Sequence, residues 1–491
     1  MDQHFPIGIQ ARIPPARHFI GNEQVTPATG QTIPVVDPSD GGVFAYLARG
    51  NAEDIDRAVK AAIAARDGTW GKLAPADRGR LLMRLSQKLQ DHSEELAQLE
   101  SRDCGKPLKQ ARADAMACAR YFEFYAGAPD KLHGDTIPYL PGYTVLTWRE
   151  PHGVTGHIIP WNYPLQIFGR SVGAALAAGN ACVVKPAEDA CVSLLRVAEL
   201  AADAGFPPGA LNIVTGLGLE AGMALAEHPG IDHISFTGSP ATGSIVAQAS
   251  AKRHCPVTLE LGGKSPQIVF ADADIDAALP VLVNAIVQNA GQTCSAGSRL
   301  LVEARAYEQV LEALGKRFAA LRTGPAQSDL DCGPLIRANQ LARVQGFLAD
   351  ARRDGLAIAG EGQLVPEAPT TGYYQSPTLV RDVPPSHRLA NDEVFGPVLA
   401  AMPFSDEADA IRLANGSPFG LVTGIWTRDG GRQLRLARAI KSGQVFINTY
   451  GAGGGVELPF GGMKHSGYGR EKGFEALFAL TVVKTVAIHH G

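Results

Sequence analysis

The sequence predicts an α/β fold built on parallel sheets buried between helices. Strand-like and helix-like runs alternate from 153 to 270 and resume over 265–450, the pattern of βαβ units. The 55 glycines and 33 prolines punctuate the chain rather than gather in low-complexity tracts, as expected of loops between many short elements. Hydrophobic residues at 45% and charged residues at 19% fit a globular chain and exclude bulk disorder.

In chain order, residues 53–67 carry apolar positions at helical spacing, with acidic residues in the first turn. Residues 75–100 read as one longer helix with a leucine stripe (Leu81, Leu82, Leu85, Leu89, Leu96 and Leu99), and 110–127 as a third helix. Over 129–152, proline, glycine, tyrosine and β-branched residues alternate, which predicts an extended hairpin outside the core. Then VTGHIIP is a strand and LQIFGRSVGAALAAG a helix whose small residues permit close packing. ACVVKP is a strand, VSLLRVAELAADAG a helix capped by Gly205, and LNIVTG, HISFTG and VTLELGG are further strands. LLVEA, LAAMPF, TGIWT and QVFIN continue the pattern, with AYEQVLEALGKRFAAL among the helices between them. The tail LTVVKTVAIHH is a strand with nothing after it to pair with, which suits pairing with another subunit.

The length of 491 residues allows about three domains. With 45 basic and 49 acidic residues, net −4, no basic excess supports a nucleic-acid or anionic-membrane partner. No apolar run approaches the ~20 residues that span a bilayer. The start shows no basic segment followed by an apolar core, so a cytoplasmic location is expected. Seven cysteines are scattered (104, 118, 182, 191, 255, 294 and 332), with no C-x₂-C spacing. That predicts neither a structural metal site nor a disulfide framework, but mostly buried thiols.

Several strings carry chemistry. QNAGQTCSAGSR sets Cys294 among small polar residues, either as an accessible nucleophile or as a packed thiol. VTLELGGKSP places Glu260 in an apolar strand, either solvated at an edge or buried with a raised pKa that suits a general base. In IIPWNYPLQ, Asn162 sits between a strand and a helix, as an oxyanion donor or as a helix N-cap. Lys185 and Glu188 follow the end of a strand, where ligands of open parallel sheets bind, and suit ribose hydroxyls. HISFTGSPATG is a strand, a glycine turn and a helix start that can offer N–H groups to a phosphate.

Together these strings resemble the aldehyde dehydrogenase superfamily over nearly the whole chain: GQTC at 291–294, LELGGKSP at 259–266, PWNYP at 160–164 and FTGS at 236–239. KPAE at 185–188, EVFGPV at 393–398, and PFGG with SGYGRE at 459–471 add to it. The resemblance implies the hydrolytic branch, which oxidises an aldehyde to a carboxylic acid through a thiohemiacetal and a thioester. It makes Cys294 the nucleophile, Glu260 the general base, Asn162 the oxyanion donor and Glu471 a second proton-relay carboxylate. It assigns NAD, with NADP possible, to Ile159, Pro160, Trp161, Lys185, Glu188, Gly218, Phe236, Gly238, Ser239, Leu261, Glu393 and Phe395. No metal is implied. Two other readings compete: a catalytically idle protein on the same fold, and a thiol esterase.

The resemblance places Tyr163, Arg170 and Phe460 in the substrate pocket. Arginine at 170 resembles subgroups that oxidise succinic semialdehyde or benzaldehyde-like compounds, and Gln288 weakens the first. Arg170 is otherwise a structural salt-bridge partner. ELP before FGG is closer to the betaine-aldehyde and aminoaldehyde subgroup, so the substrate clues conflict. The glycine-rich tip of YGAGGGVELPFGG predicts a wide entrance. The implied fold has a Rossmann-like NAD domain (1–128 and 152–259), an α/β catalytic domain (260–445) and a small β oligomerisation arm (129–151 and 476–491). A homodimer or homotetramer is expected.

Overall fold

The computed structural model describes residues 12–451 and 455–491. Two large sheets organise the chain. The first has eight strands, in the order Glu23–Val25, His18–Ile20, Leu211–Ile213, Ala181–Pro186, Val154–Ile159, His233–Thr237, Val257–Glu260 and Gly467–Tyr468. Its central five strands run parallel, and the strands nearest each edge pair antiparallel. Ala181–Pro186 is buried at every residue, as a central parallel strand covered on both faces must be.

The second sheet has seven strands, in the order Ile358–Glu361, Thr378–Val380, Val398–Phe404, Arg299–Glu303, Pro266–Val269, Val422–Trp426 and Gln444–Ile447. All of its pairings are parallel except that of the Ile358–Glu361 edge. Each sheet has its own apolar core, one including Val183, Ile234 and Phe168, the other Ile268, Leu301 and Phe347. Active-site chemistry in such sheets is built beyond the carboxyl ends of the strands. Among the described residues, no helix is long and apolar enough to cross a membrane.

A third sheet stands apart. Thr481–His489 pairs antiparallel with Tyr143–Pro151 along its whole length, and Thr136–Ile137 pairs on the other side. The tail strand, without a neighbour in the sequence pattern, thus finds one in its own chain. Most residues of this ribbon are exposed or half-buried, so it has no core of its own.

The helix Pro164–Ala178 is buried at every position but Gln166. It packs on Leu108–Ala126 with Gly169 against the Tyr121 ring, which brings Arg170 into the interior.

Two local expectations are corrected. Residues 75–100 are not one helix but two, Pro75–Asp91 and Ser93–Cys104, joined at His92 (φ −104°, ψ 16°). The leucine period continues across the break, yet Ser93 followed by Glu94 and Glu95 is itself a helix start, and His92 Nδ1 meets Glu95 Oε2 at 2.8 Å. The helix Val192–Asp203 is capped by Ala204, and Gly205 (φ 91°) makes the left-handed turn one residue later. The tip at 452–454, where the wide entrance was expected, lies outside the described residues.

Candidate active site

The helix Ile275–Val287 ends in a left-handed run, Asn289 (φ 47°), Ala290 (φ 53°) and Gly291 (φ 70°), which turns the chain toward Cys294. Gly291 is required twice over: its φ favours glycine, and a Cβ there would lie 2.2 Å from the Gly396 carbonyl oxygen. Gly263 likewise lets the Cys294 carbonyl approach to where a Cβ would lie at 2.2 Å. The cysteine loop, the LELGGKSP turn and the EVFGPV loop therefore lock together by backbone contact.

Two cavities flank Cys294. One, of about 630 Å³, is lined by Trp161, Gly238, Ser239, Leu261, Glu393 and Phe395, among others. The other, of about 330 Å³, is lined by Tyr163, Arg170, Tyr450 and Phe460, with Asp114 and Ile167. Among the described lining residues, only Asn162 and Cys294 border both. A thiol reached from two sides has room for two reactants.

Asn162 is buried and is not an N-cap. Tyr163 occupies that position, and the Asn162 amide donates one N–H to the Gln292 carbonyl at 2.9 Å. Asn289 donates to the Asn162 carbonyl, also at 2.9 Å. These bonds fix the amide and leave its second N–H for the site.

Glu260 ends its strand fully buried, and neither carboxyl oxygen has a hydrogen-bond partner among the described residues. Burial, then the charge of Glu471, raise its pKa well above the ordinary carboxyl value, while Arg170 and Arg470 oppose them. The buried alternative, not the solvated edge, is what the fold produces.

The larger cavity has the donor set for a dinucleotide. Ser239 caps the helix Pro240–Ala251, accepting from Thr242 N at 3.3 Å, and this helix start lines the cavity. Glu393 accepts from Gly263 N at 2.9 Å, and Phe395 meets Trp161 edge-to-face at 5.4 Å. Lys185 donates to Glu188 at 2.9 Å, and Gly218 N approaches the other Glu188 oxygen at 3.5 Å. Pro160 lines the cavity wall. Ile159, Lys185, Glu188, Gly218 and Phe236 are not among its lining residues.

The model of the aldehyde dehydrogenase family matches residues 25–486. The chain belongs to the aldehyde dehydrogenase family. It is 42% identical over 472 residues to aldehyde dehydrogenase family 2 member B4 of Arabidopsis thaliana, covering 95% of this chain and 87% of the relative. It is also 42% identical over 472 residues to the benzaldehyde dehydrogenase of Antirrhinum majus, covering 95% and 88%. Among solved structures, a Burkholderia cenocepacia protein ascribed to the aldehyde dehydrogenases superposes with a TM-score of 0.96 at 71% identity, covering 97% of this chain and 100% of that one. The NAD⁺ complex of a Bacillus cereus aldehyde dehydrogenase superposes at 0.94 with 40% identity, covering 97% of each chain. The fold is that of the family, and the chain is an NAD(P)-dependent aldehyde dehydrogenase.

Within this aldehyde dehydrogenase the cysteines divide. Cys182 is buried mid-strand beside Thr155, and Cys104 donates to the Trp161 carbonyl at 3.1 Å. Cys104, Cys118, Cys182, Cys191 and Cys332 are all buried, and Cys255 borders neither cavity. Burial pushes the Cys294 thiol up to about 12, the Arg170 charge working against that rise. Burial also pushes the Glu393 carboxyl up to about 7.

Arg170 lines the smaller cavity, but its Nε donates to Glu471 Oε2. Ser235 donates to the other Glu471 oxygen at 2.8 Å, and the Arg170 guanidinium stacks 4.8 Å from the Phe460 ring. The salt-bridge alternative for Arg170 is thus present.

The motifs passed over four residues of the site. Gln340 and Arg343, on the helix Ala338–Arg353, donate to the Phe395 and Glu393 carbonyls at 2.7 and 2.6 Å and hold that loop. Asp114 and Gln110 belong to the wall of the smaller cavity. All four sit on ordinary helical patterns, where no local spacing separates them from surface residues.

Proposed function

We propose that this enzyme oxidises a neutral aldehyde of aromatic size to its carboxylic acid, with Cys294 as nucleophile. The position of Cys294 between two cavities carries the catalytic assignment. As the thiolate, its proton released to solvent, its sulfur attacks the aldehyde carbon from the tunnel side. The free Asn162 N–H then meets the developing oxyanion, an interaction worth about 3–4 kcal/mol for one donor of this type. NAD, when bound, supplies the hydride acceptor. The acyl group left on Cys294 is a thioester. Glu260, deprotonated, takes a proton from water so that the hydroxide displaces Cys294 and frees the acid.

The larger cavity is read as the cofactor cleft. Lys185 and Glu188 suit the adenosine ribose, the Ser239 helix start the diphosphate, and Glu393 the second ribose. The Glu188 carboxylate repels a 2′-phosphate, which favours NAD over NADP.

The pairing of charges in the tunnel supports the substrate class. Arg170 is matched by Glu471, and Asp114 by Lys106 Nζ at 2.6 Å. Among the described residues lining the tunnel, Arg170 and Asp114 are each already engaged by an opposite charge and neither is a free anchor for a carboxylate or an ammonium, while Tyr163, Ile167, Tyr450 and Phe460 supply an apolar wall. Benzaldehyde is the substrate named for one relative at 42% identity. We place the enzyme in the cytoplasm as a homodimer or homotetramer joined through the exposed three-stranded ribbon.

A panel of benzaldehyde-like, semialdehyde and amino-aldehyde substrates, followed by NADH absorbance, tests the reading. The highest kcat/KM is expected for the neutral aromatic compounds. A semialdehyde or aminoaldehyde at the top of the ranking would overturn the substrate class. Turnover that does not need NAD would favour an esterase.

A further inference from the structure

An ion pair outside every motif stands beside the larger cavity, which Arg337 lines. Arg337 donates through Nη1 to Asp189 Oδ2. Asp189 follows the strand Ala181–Pro186 of the first sheet, one residue past Glu188. Arg337 immediately precedes the helix Ala338–Arg353, whose Val344, Phe347 and Leu348 pack in the core of the second sheet. The pair therefore ties one sheet's layers to the other's. Arg337 also lines the cavity, and its Nε is buried with no hydrogen-bond partner among the described residues.

The contacts around it are built rather than incidental. Ile336 packs with Cys104 and Ala190, against Trp161, which lines the same cavity. The Ile336 N–H donates to Gln292 Oε1 at 2.9 Å, and the Gln292 carbonyl accepts from Asn162 at 2.9 Å. A continuous path of contacts thus runs from the ion pair to the oxyanion donor. Burial raises the Asp189 carboxyl, and Arg337 works against that rise.

We propose that Arg337 and Asp189 form a clamp over the cofactor cleft, holding the two layers together around the bound dinucleotide and seating Ile336 against Trp161 and Gln292. Arg337 is a positioning residue, and its effect falls on cofactor affinity before chemistry. The proposal rests on the reading of the larger cavity as the NAD site.

NAD titration into the full-length protein, followed by quenching of tryptophan fluorescence, tests it, since Trp161 lines the cleft. Wild-type binding tests the cleft reading by itself. Arg337→Ala is expected to raise Kd about three- to tenfold, and the double variant Arg337→Ala/Asp189→Asn no further, because both remove one interaction. KM for NAD should follow Kd while kcat changes less. The nearly isosteric Asp189→Asn discriminates most sharply. Simple charge repulsion says that removing a carboxylate beside an anionic dinucleotide tightens binding, whereas loss of a clamp weakens it. Wild-type or tighter affinity in Asp189→Asn overturns the proposal, as do additive losses in the double variant.

Discussion

Arg170, in the wall of the smaller cavity beside Cys294, forms a buried ion pair with Glu471, their side chains only 9% and 5% exposed. The guanidinium that a sequence comparison offers as a carboxylate anchor is already matched by a carboxylate. Arg170 stays charged although burial opposes it, because the Glu471 carboxylate beside it favours the charge. Removing one member of a buried pair strands the other in low dielectric. Arg170→Met should therefore destabilise the protein by about 3–5 kcal/mol, read from denaturant unfolding. Arg170→Met/Glu471→Gln should recover most of the loss, since glutamine can still accept from Ser235. If the double variant is as unstable as the single, the pair is not what Arg170 contributes.

Glu260 is expected to trade stability for turnover. Its carboxyl is buried, without a hydrogen-bond partner among the described residues, and raised above its unfolded value, so the folded protein binds the proton more tightly than the unfolded chain does. Between those two pKa values stability must fall as pH rises, by about 1.4 kcal/mol per pH unit for one proton. Glutamine at 260 has no such proton. Glu260→Gln should be more stable than the wild type at neutral pH, and the gap should close below about pH 4, where both states of the wild type are protonated. The same variant should keep a first-turnover burst of NADH while losing steady turnover, because deacylation needs the deprotonated carboxylate. Thermal unfolding across pH and stopped-flow absorbance check the two halves. A wild type that is the more stable at pH 7 would contradict the burial argument.

Cys294 should alkylate slowly at neutral pH in the enzyme without cofactor. Burial holds its thiol up to about 12, so thiolate is scarce and the rate follows its fraction. Reaction with iodoacetamide should rise about tenfold per pH unit from 7 to 10 without a plateau. Arg170 is the cation that works against the rise, so Arg170→Met should slow alkylation at each pH. A plateau near neutrality in the wild type would show that the thiol is activated before cofactor binds.

How far the fold and site were legible follows from what each residue depends on. Parallel strands such as Ala181–Pro186 are buried on both faces, so their apolar runs mark them without tertiary information. Cys294, Glu260 and Asn162 stand in motifs whose glycines are set by backbone contact, as Gly263 against the Cys294 carbonyl shows. Their proximity was therefore implied by strings far apart in sequence. The break at His92 was hidden because leucine spacing is unchanged across it. The partner of Arg170 lies 301 residues away, and that of Asp189 lies 148. No local pattern reports a pairing across such distances, so the sequence around 170 does not show that this guanidinium has a carboxylate partner.

Lys106 is fully buried between Glu100 Oε1 at 2.7 Å and Asp114 Oδ2 at 2.6 Å, with its ammonium 4.3 Å from the Tyr163 ring centroid. Glu100 also accepts from Leu165 N at 3.0 Å, and Asp114 from Gln166 Nε2 at 2.6 Å. One cation thus binds two carboxylates to the start of the helix that follows Asn162. Tyr163 in turn meets Thr293 at 2.9 Å, next to Cys294. Burial already raises Glu100 to about 7, so without Lys106 both carboxyls would take up protons or separate. Lys106→Met should cost about 3–5 kcal/mol of stability. Because Tyr163 loses the cation beneath its ring, kcat/KM should fall more for aromatic aldehydes, which share its wall, than for acetaldehyde. Lys106→Arg should not rescue, since the enclosed site fits a compact ammonium and not a planar guanidinium. An equal loss for large and small aldehydes would confine Lys106 to holding the fold.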